Sequence, residues 1–351
     1  MYKKQKRMQG SVAWQSPSNL AITKYWGKYG VQLPRNPSLS FTLSNAHTRT
    51  KMDYKTGQDK DAVNLKFYFE GKENEAFGKR VFLFLNSILD LAPWLRGLEL
   101  SFASENSFPH SSGIASSASG MSAIALCVCS LGKLFDDRLN DTAYFYKLAS
   151  NLSRLGSGSA SRSVYPYMAL WGETDLVHDS SNEHAIPYHD IDPVFKSFHD
   201  DILIVSRKEK SVSSTAGHAL MDDNIYADKR YEQAEQRLDL LMAALRTGDI
   251  PQFGKIAEDE ALTLHALMMC SNPSYILMEA ESISLIKKIR EIRQDTKLPI
   301  YFSLDAGPNI HLLYPDEIVD EVKQLEKDVF SQFCVDGLII EDQVGSGPKP
   351  F

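Results

Sequence analysis

The sequence predicts an α+β protein. Strand-like alternation dominates its first half, long helical periodicities dominate its second, and the two kinds of segment follow in mixed order without an internal repeat. At 351 residues it has room for one large or two ordinary domains, each with a core. A polar, irregular stretch at about 176–200 reads as the boundary between them. Apolar residues make up 43% and charged residues 24%, the balance of a soluble globular chain. The net charge of −7 argues against a nucleic-acid partner, and no apolar run approaches the ~18 residues of a membrane span. The four cysteines have no zinc spacing and read as buried, reduced thiols of a cytosolic protein.

Residues 1–10 read as a tail. SVAW (11–14) and SLSFTL (38–43) alternate as strands, joined by a loop rich in Gly and Pro. TRTKMDY (48–54) and AVNLKFYFE (62–70) read as antiparallel strands of a sheet wet on one face. A helix is predicted over 73–90, a strand over 98–104, a helix ending near Leu131 and Gly132, and another at about 140–154. DILIVSR (201–207) reads as a buried strand, and residues 211–221 begin a helix. Helical patterns follow at about 224–247, 251–269 and 273–294. IYFSLDAGPNIHLLY (300–314) reads as strand, tight turn, strand; a helix at 315–328 and a strand at about 335–341 close the chain.

Three stretches carry chemistry. Residues 106–129 pass from a Gly/Ser loop into an apolar helix, which presents free N–H groups and the positive end of a helix dipole to an anion. A flexible linker before a buried helix accounts for the same text, and neither common phosphate-loop signature is present. The loop before 38 sets Lys24, Lys28 and Arg35 among Tyr25 and Trp26, either an anion site with stacking walls or a solvated turn. RLGSGSASRS (154–163) offers further backbone and hydroxyl donors, with Arg162 suited to a two-pronged grip on carboxylate or phosphate. Asp305 stands at the entrance of the late hairpin, where DAGPN is also ordinary turn chemistry. His265 is assigned packing or hydrogen bonding within the helical bundle, and no catalysis.

Together these stretches resemble the diphosphomevalonate decarboxylase family of the GHMP small-molecule kinase superfamily. The matching text is NLAITKYWGKYGVQLPRNPSLSFTLS, NSFPHSSGIASSASG, RLGSGSASRS, VSSTAGH, SLDAGPN and the closing VGSGP, in the family's order from residue 19 to 348. The resemblance implies a GHMP-kinase-like fold of two α+β lobes, an S5 domain 2-like ATP-binding lobe at 1–190 and a ferredoxin-like lobe at 191–351, with the active site in the cleft between. It implies ATP-dependent conversion of (R)-5-diphosphomevalonate to isopentenyl diphosphate, CO2, ADP and phosphate, in the mevalonate pathway of isoprenoid and lipid metabolism. ATP and Mg2+ are the implied cofactors, with the direct metal ligand left open. A cytoplasmic homodimer acting on a small molecule is the implied form.

On that template Asp305 accepts a proton from the C3 hydroxyl, Lys24 keeps it ionised, and Arg162 holds the substrate carboxylate. Tyr25, Lys28, Ser157, Ser159 and Ser214 take the carboxylate and diphosphate. Ser104, Asn106, Gly113, Ser116, Ser117 and Ser119 cradle the ATP phosphates. The sequence departs from the family at His110, Ser111-Ser112, Ser161, Val164-Tyr165-Pro166-Tyr167 and Thr215, the last where some bacterial members place an arginine on the diphosphate. Two alternatives stay open: a phosphomevalonate decarboxylase or a kinase that stops at 3-phosphorylation, and a GHMP-fold protein that binds without catalysis.

Overall fold

The computed structural model describes residues 8–58, 63–108, 114, 116–208 and 212–351. β1 (Gln9–Ala21) starts where a tail is predicted and runs well past SVAW. A small hairpin, β2 (Lys28–Tyr29) with β3 (Leu33–Pro34), leads to β4 (Ser38–Thr56), in which SLSFTL and TRTKMDY form one continuous strand. The β1–β4 register shifts between Pro17 and Asn19, where proline has no N–H for the ladder and residues 43–46 bulge out.

β5 (Asn64–Phe69) and β6 (Lys72–Glu73) precede α1 (Glu75–Ser87) and β7 (Leu98–Asn106). The expected antiparallel pairing of TRTKMDY with AVNLKFYFE does not occur. β7 lies between them, antiparallel to β4 and parallel to β5, because α1 supplies the crossover that a parallel pair needs. α2 (Ser116–Gly132) is apolar and buried nearly all round, lodged between the sheet and α3 (Thr142–Gly156). Cys127 and Cys129 are both buried on it, where burial pushes their thiols up. A 3-10 helix (Gly158–Val164), β8 (Met168–Trp171) and β9 (Ile186–Tyr188) complete this half, and with the chain's last strand, β14 (Lys349–Pro350), the sheet order is β14-β1-β4-β7-β5-β6 with β8 on β4.

The second half centres on β10 (His199–Leu203), with α4 (Ser214–Ala219), α5 (Ala227–Thr247), α6 (Ile250–Met269) and α7 (Ala280–Thr296) following. β11 (Tyr301–Ser303) and β12 (Ile310–Tyr314) form the expected hairpin around residues 304–309. α8 (Val319–Leu325) runs on into a short π-helical turn. The strand expected at 335–341 shrinks to β13 (Ile339–Ile340), since Asp336 and Gly337 take positive φ in a tight turn. The antiparallel order is β11-β12-β10-β13. One apolar cluster spans both halves, joining Leu20 and Phe41 to Phe195, Phe198 and Phe253.

After β13 the chain returns to the first sheet. Asp342 accepts from the bulged N–H groups of Ser44 (2.8 Å), Asn45 (2.8 Å) and Ala46 (2.6 Å), which the β1 ladder leaves free. β14 (Lys349–Pro350) then pairs with β1.

Candidate active site

A cavity of 820 Å³ opens between the two halves, lined from β1, β7, α1, α2, the 3-10 helix, α4, α6 and the β11–β12 turn. At its centre the Lys24 ammonium donates to Asp305 Oδ1 at 2.9 Å. The lysine side chain is 2% exposed and the aspartate 25%, so the carboxylate is the partner that faces the open space. Lys24 lies three residues beyond the end of β1, where its peptide groups have no strand partner. Its N–H donates instead to Glu260 Oε2 (2.7 Å), and its carbonyl accepts from Arg230 (3.0 Å) and Asn36 (3.0 Å).

Arg162 is buried beside this pair. Its guanidinium donates to Ser40 Oγ (2.9 Å), Ser38 Oγ (2.6 Å) and Asn19 Oδ1 (3.4 Å). Burial lowers its pKa to about 10, with Asp305 pulling the other way, so it stays charged at neutral pH. Tyr25 packs its ring edgewise on Trp171 at 4.7 Å, and burial raises its phenol. Both touch Gly158: a Cβ there would lie 2.8 Å from Trp171 Cη2 and 2.9 Å from Tyr25 Oη, so only glycine fits.

Ser104, Asn106, Ser116, Ser117, Ser157, Ser159, Lys28 and Ser214 all line the cavity. Ser117 and Ser157 hydroxyls stand 3.3 Å apart, joining the two Gly/Ser turns. Ser119 does not join them: it is fully buried, its hydroxyl 2.6 Å from Thr48, which in turn donates to Asn106 Oδ1 (2.8 Å). It supports the cradle from behind. Gly113, with His110, Ser111 and Ser112, lies outside the described residues. Beyond the serines, Phe67, Phe69, Phe77, Val81 and Phe84 give the cavity an apolar end, with Arg80 among them.

Arg35, grouped with the site cations on sequence, stands outside the cavity lining, 3.7 Å from Asp222 and over the Tyr29 ring. The segment from Val164 to Tyr167 also leaves the cavity untouched; Tyr167 takes φ 54° and exchanges backbone bonds with Thr42 and Gly345, shaping the join to β8. Several residues that line or brace the cavity are not legible in the sequence. His218 lines the cavity between Tyr25 (4.2 Å) and Trp26 (4.5 Å) and accepts from Gly27 N–H at Nδ1 (3.0 Å). Burial lowers its pKa to about 3, which keeps the ring neutral with its proton on Nε2. Arg154 ties α3 to the β2–β3 hairpin by donating to the Val31 carbonyl (2.5 Å). The one signal for His218 was its place in VSSTAGH; none pointed to Glu260, Arg230 or Arg154.

Fold and cleft together define a two-lobed enzyme of the GHMP-kinase type, a serine-rich cradle facing a lysine–aspartate pair. A structure described as MDDEF in complex with MVAPP, AMPPCP and magnesium superposes with a TM-score of 0.82 at 27% identity, covering 98% of this chain and 99% of that one. Residues 16–182 match the diphosphomevalonate decarboxylase-like N-terminal domain, and 201–346 match the mevalonate 5-diphosphate decarboxylase C-terminal domain. The chain belongs to the diphosphomevalonate decarboxylase family. The diphosphomevalonate decarboxylase of Candida albicans is 28% identical over 328 residues, 90% of this chain and 87% of that protein. A phosphomevalonate decarboxylase of Haloferax volcanii is 26% identical over 311 residues, 88% and 89%.

Proposed function

We propose that the chain converts (R)-5-diphosphomevalonate and ATP to isopentenyl diphosphate, CO2, ADP and phosphate. The observation that carries this is the Lys24–Asp305 contact, its carboxylate open to a cavity that also holds Arg162 and the serine cradle. Asp305 orients the tertiary C3 hydroxyl and takes its proton as the oxygen attacks the γ-phosphorus and the bond to ADP breaks. A tertiary alcohol is hindered and weakly acidic, so orientation against the phosphoryl group contributes more than basicity. Lys24 keeps the aspartate ionised and offsets charge on the transferring group.

The C3–O bond then breaks and its electron pair leaves with phosphate. The electrons of the C2–carboxylate bond become the new double bond, and CO2 departs. Arg162 would hold that carboxylate until this step, and Tyr25, Lys28, Ser157, Ser159 and Ser214 would hold the rest of the substrate. Ser104, Asn106, Ser116 and Ser117 would bind the ATP phosphates, with Ser119 behind them.

Among the described residues no three His, Cys, Asp or Glu side chains gather as a metal site. Ser104, Asn106 and Ser116 line the cavity with hydroxyl and amide oxygens, the ligand type a hard cation takes, and would hold Mg2+ there. Bound there, the ion would neutralise phosphate charge. The lobe divide near residue 190, the homodimer and the cytoplasmic location belong to the same reading and rest on the family resemblance.

A second reading, monophosphate as substrate, is favoured by Thr215 in the cavity wall where an arginine would grip the diphosphate, and by the Haloferax volcanii relative's name. ATP-dependent CO2 release, with phosphomevalonate and diphosphomevalonate side by side, separates them. Preference for the diphosphate is expected; a strong preference for the monophosphate moves the assignment to the second reading, and no CO2 from either refutes both.

A further inference from the structure

Helix α6 touches both halves of the reactive pair through their main chains. Glu260 accepts the Lys24 N–H at 2.7 Å, and His265 Nε2 stands 3.1 Å from the Asp305 carbonyl oxygen. A carbonyl can only accept, so the ring carries its proton on Nε2 and leaves Nδ1 as a bare lone pair. That Nδ1 is buried with no hydrogen-bond partner among the described residues. Burial lowers the His265 pKa to about 4, keeping this neutral tautomer at working pH. A core position that only needed filling would take an apolar side chain without stranding an acceptor.

Glu260 is equally well defined. It is fully buried, with Arg230 donating to both of its oxygens (2.6 and 2.5 Å) and Arg237 to Oε1 (2.8 Å). The Lys24 N–H takes the fourth acceptor position, and Arg230 turns back to the Lys24 carbonyl at 3.0 Å. Both peptide groups of the lysine are thus held by α5 and α6, more than two hundred residues away in sequence. Glu260 and His265 are five residues apart, about 7.5 Å along a helix axis.

We propose that α6 is the template that sets the spacing of the Lys24–Asp305 pair, with Glu260 and His265 as positioning residues at its two contact points and Arg230 orienting Glu260. This rests on the reading of that pair as reactive. A rigid helix carrying both contacts holds lysine and carboxylate in register across the cleft, where misplacement by about 1 Å can cost roughly a hundredfold in rate.

The test uses the full-length protein with ATP and the better of the two mevalonate phosphates, following kcat, KM and the melting temperature. H265L removes the N–H donor in similar volume, and H265Q restores an amide donor at the same reach. H265L is expected to lower kcat by roughly 10- to 100-fold while both KM values stay within about threefold, and H265Q to recover most of the loss. In an Asp305→Asn background H265L should cost less than about twofold, because there is no carboxylate left to position. E260Q should show the same split between kcat and KM; if it fails to fold, the histidine variants decide. A folded H265L with near wild-type kcat, equal losses in H265L and H265Q, or an undiminished loss in the Asp305→Asn background would overturn the proposal. Asp305→Asn that keeps most of the activity would instead overturn the reading of the pair itself.

Discussion

Replacing Asp305 by Asn removes the proton acceptor while preserving shape, and two separate losses follow from the geometry. The first is catalytic. Oriented proton acceptance is worth ~10²–10⁴-fold, about 2.7–5.5 kcal/mol of barrier at 1.36 kcal/mol per decade. The second is thermodynamic. Lys24 is 2% exposed and would have a neutral amide in place of the carboxylate it now meets at 2.9 Å. Breaking a fully buried pair from one side costs about 3–5 kcal/mol; with a quarter of the carboxylate in solvent, about 2 kcal/mol is the reasonable share here. At about 2.1 cal/mol/K of unfolding entropy per residue, a chain of 351 residues loses about 1.4 °C per kcal/mol, so the melting temperature should fall by roughly 3 °C. ATP affinity should change little, since the hydroxyl and amide groups of Ser104, Asn106, Ser116 and Ser117 that would hold its phosphates are untouched by the substitution. ADP release at saturating substrates, thermal melting and nucleotide titration read the three quantities. A folded variant that binds ATP and keeps kcat within tenfold would remove Asp305 from the chemistry.

Three further outcomes are expected. R162Q should raise the substrate KM and lower kcat together, because a charged grip worth about 1.5–3 kcal/mol per hydrogen bond becomes at best one neutral bond; unchanged kinetics would contradict it. G158A should displace Tyr25 from Trp171, raising KM for the mevalonate phosphate but not for ATP; equal changes in both would show that the contact does not shape the substrate end. Burial and the nearby Asp201 raise the Glu326 pKa to about 8. The folded chain therefore holds that proton where the unfolded chain has lost it, so stability falls as pH rises from about 5 to 8. Glu326→Gln cannot ionise and should flatten that part of the melting curve against pH; identical slopes would refute the assignment.

Much of the fold was legible because local signals agreed with the tertiary outcome. α1, α3, α5 and α6 fall within a few residues of their hydrophobic periodicities, and the β11–β12 hairpin follows from its turn residues. Pairing was less legible. Nothing in AVNLKFYFE says whether its neighbour is the preceding strand or the one after the next helix, because alternation reports burial and not partners. In the site, Lys24, Arg162 and Asp305 come together as the family text implied. Ser119 illustrates the limit of reading a loop by composition: serine serves equally as a ligand hydroxyl and as a buried brace, and only the turn of α2 decides. Glu260 and His265 were hidden for a different reason. Their meaning lies in contacts to residues 236 and 40 positions away, which no window of helical periodicity contains.

The homeward path of the last ten residues bears on how the molecule can be cut. Because β14 borders β1 and Asp342 occupies the amides freed by the β4 bulge, a gene severed near codon 190 would give a leading piece with a raw sheet margin and a trailing piece whose end has nowhere to dock. Mixing the pieces should restore activity that neither has alone.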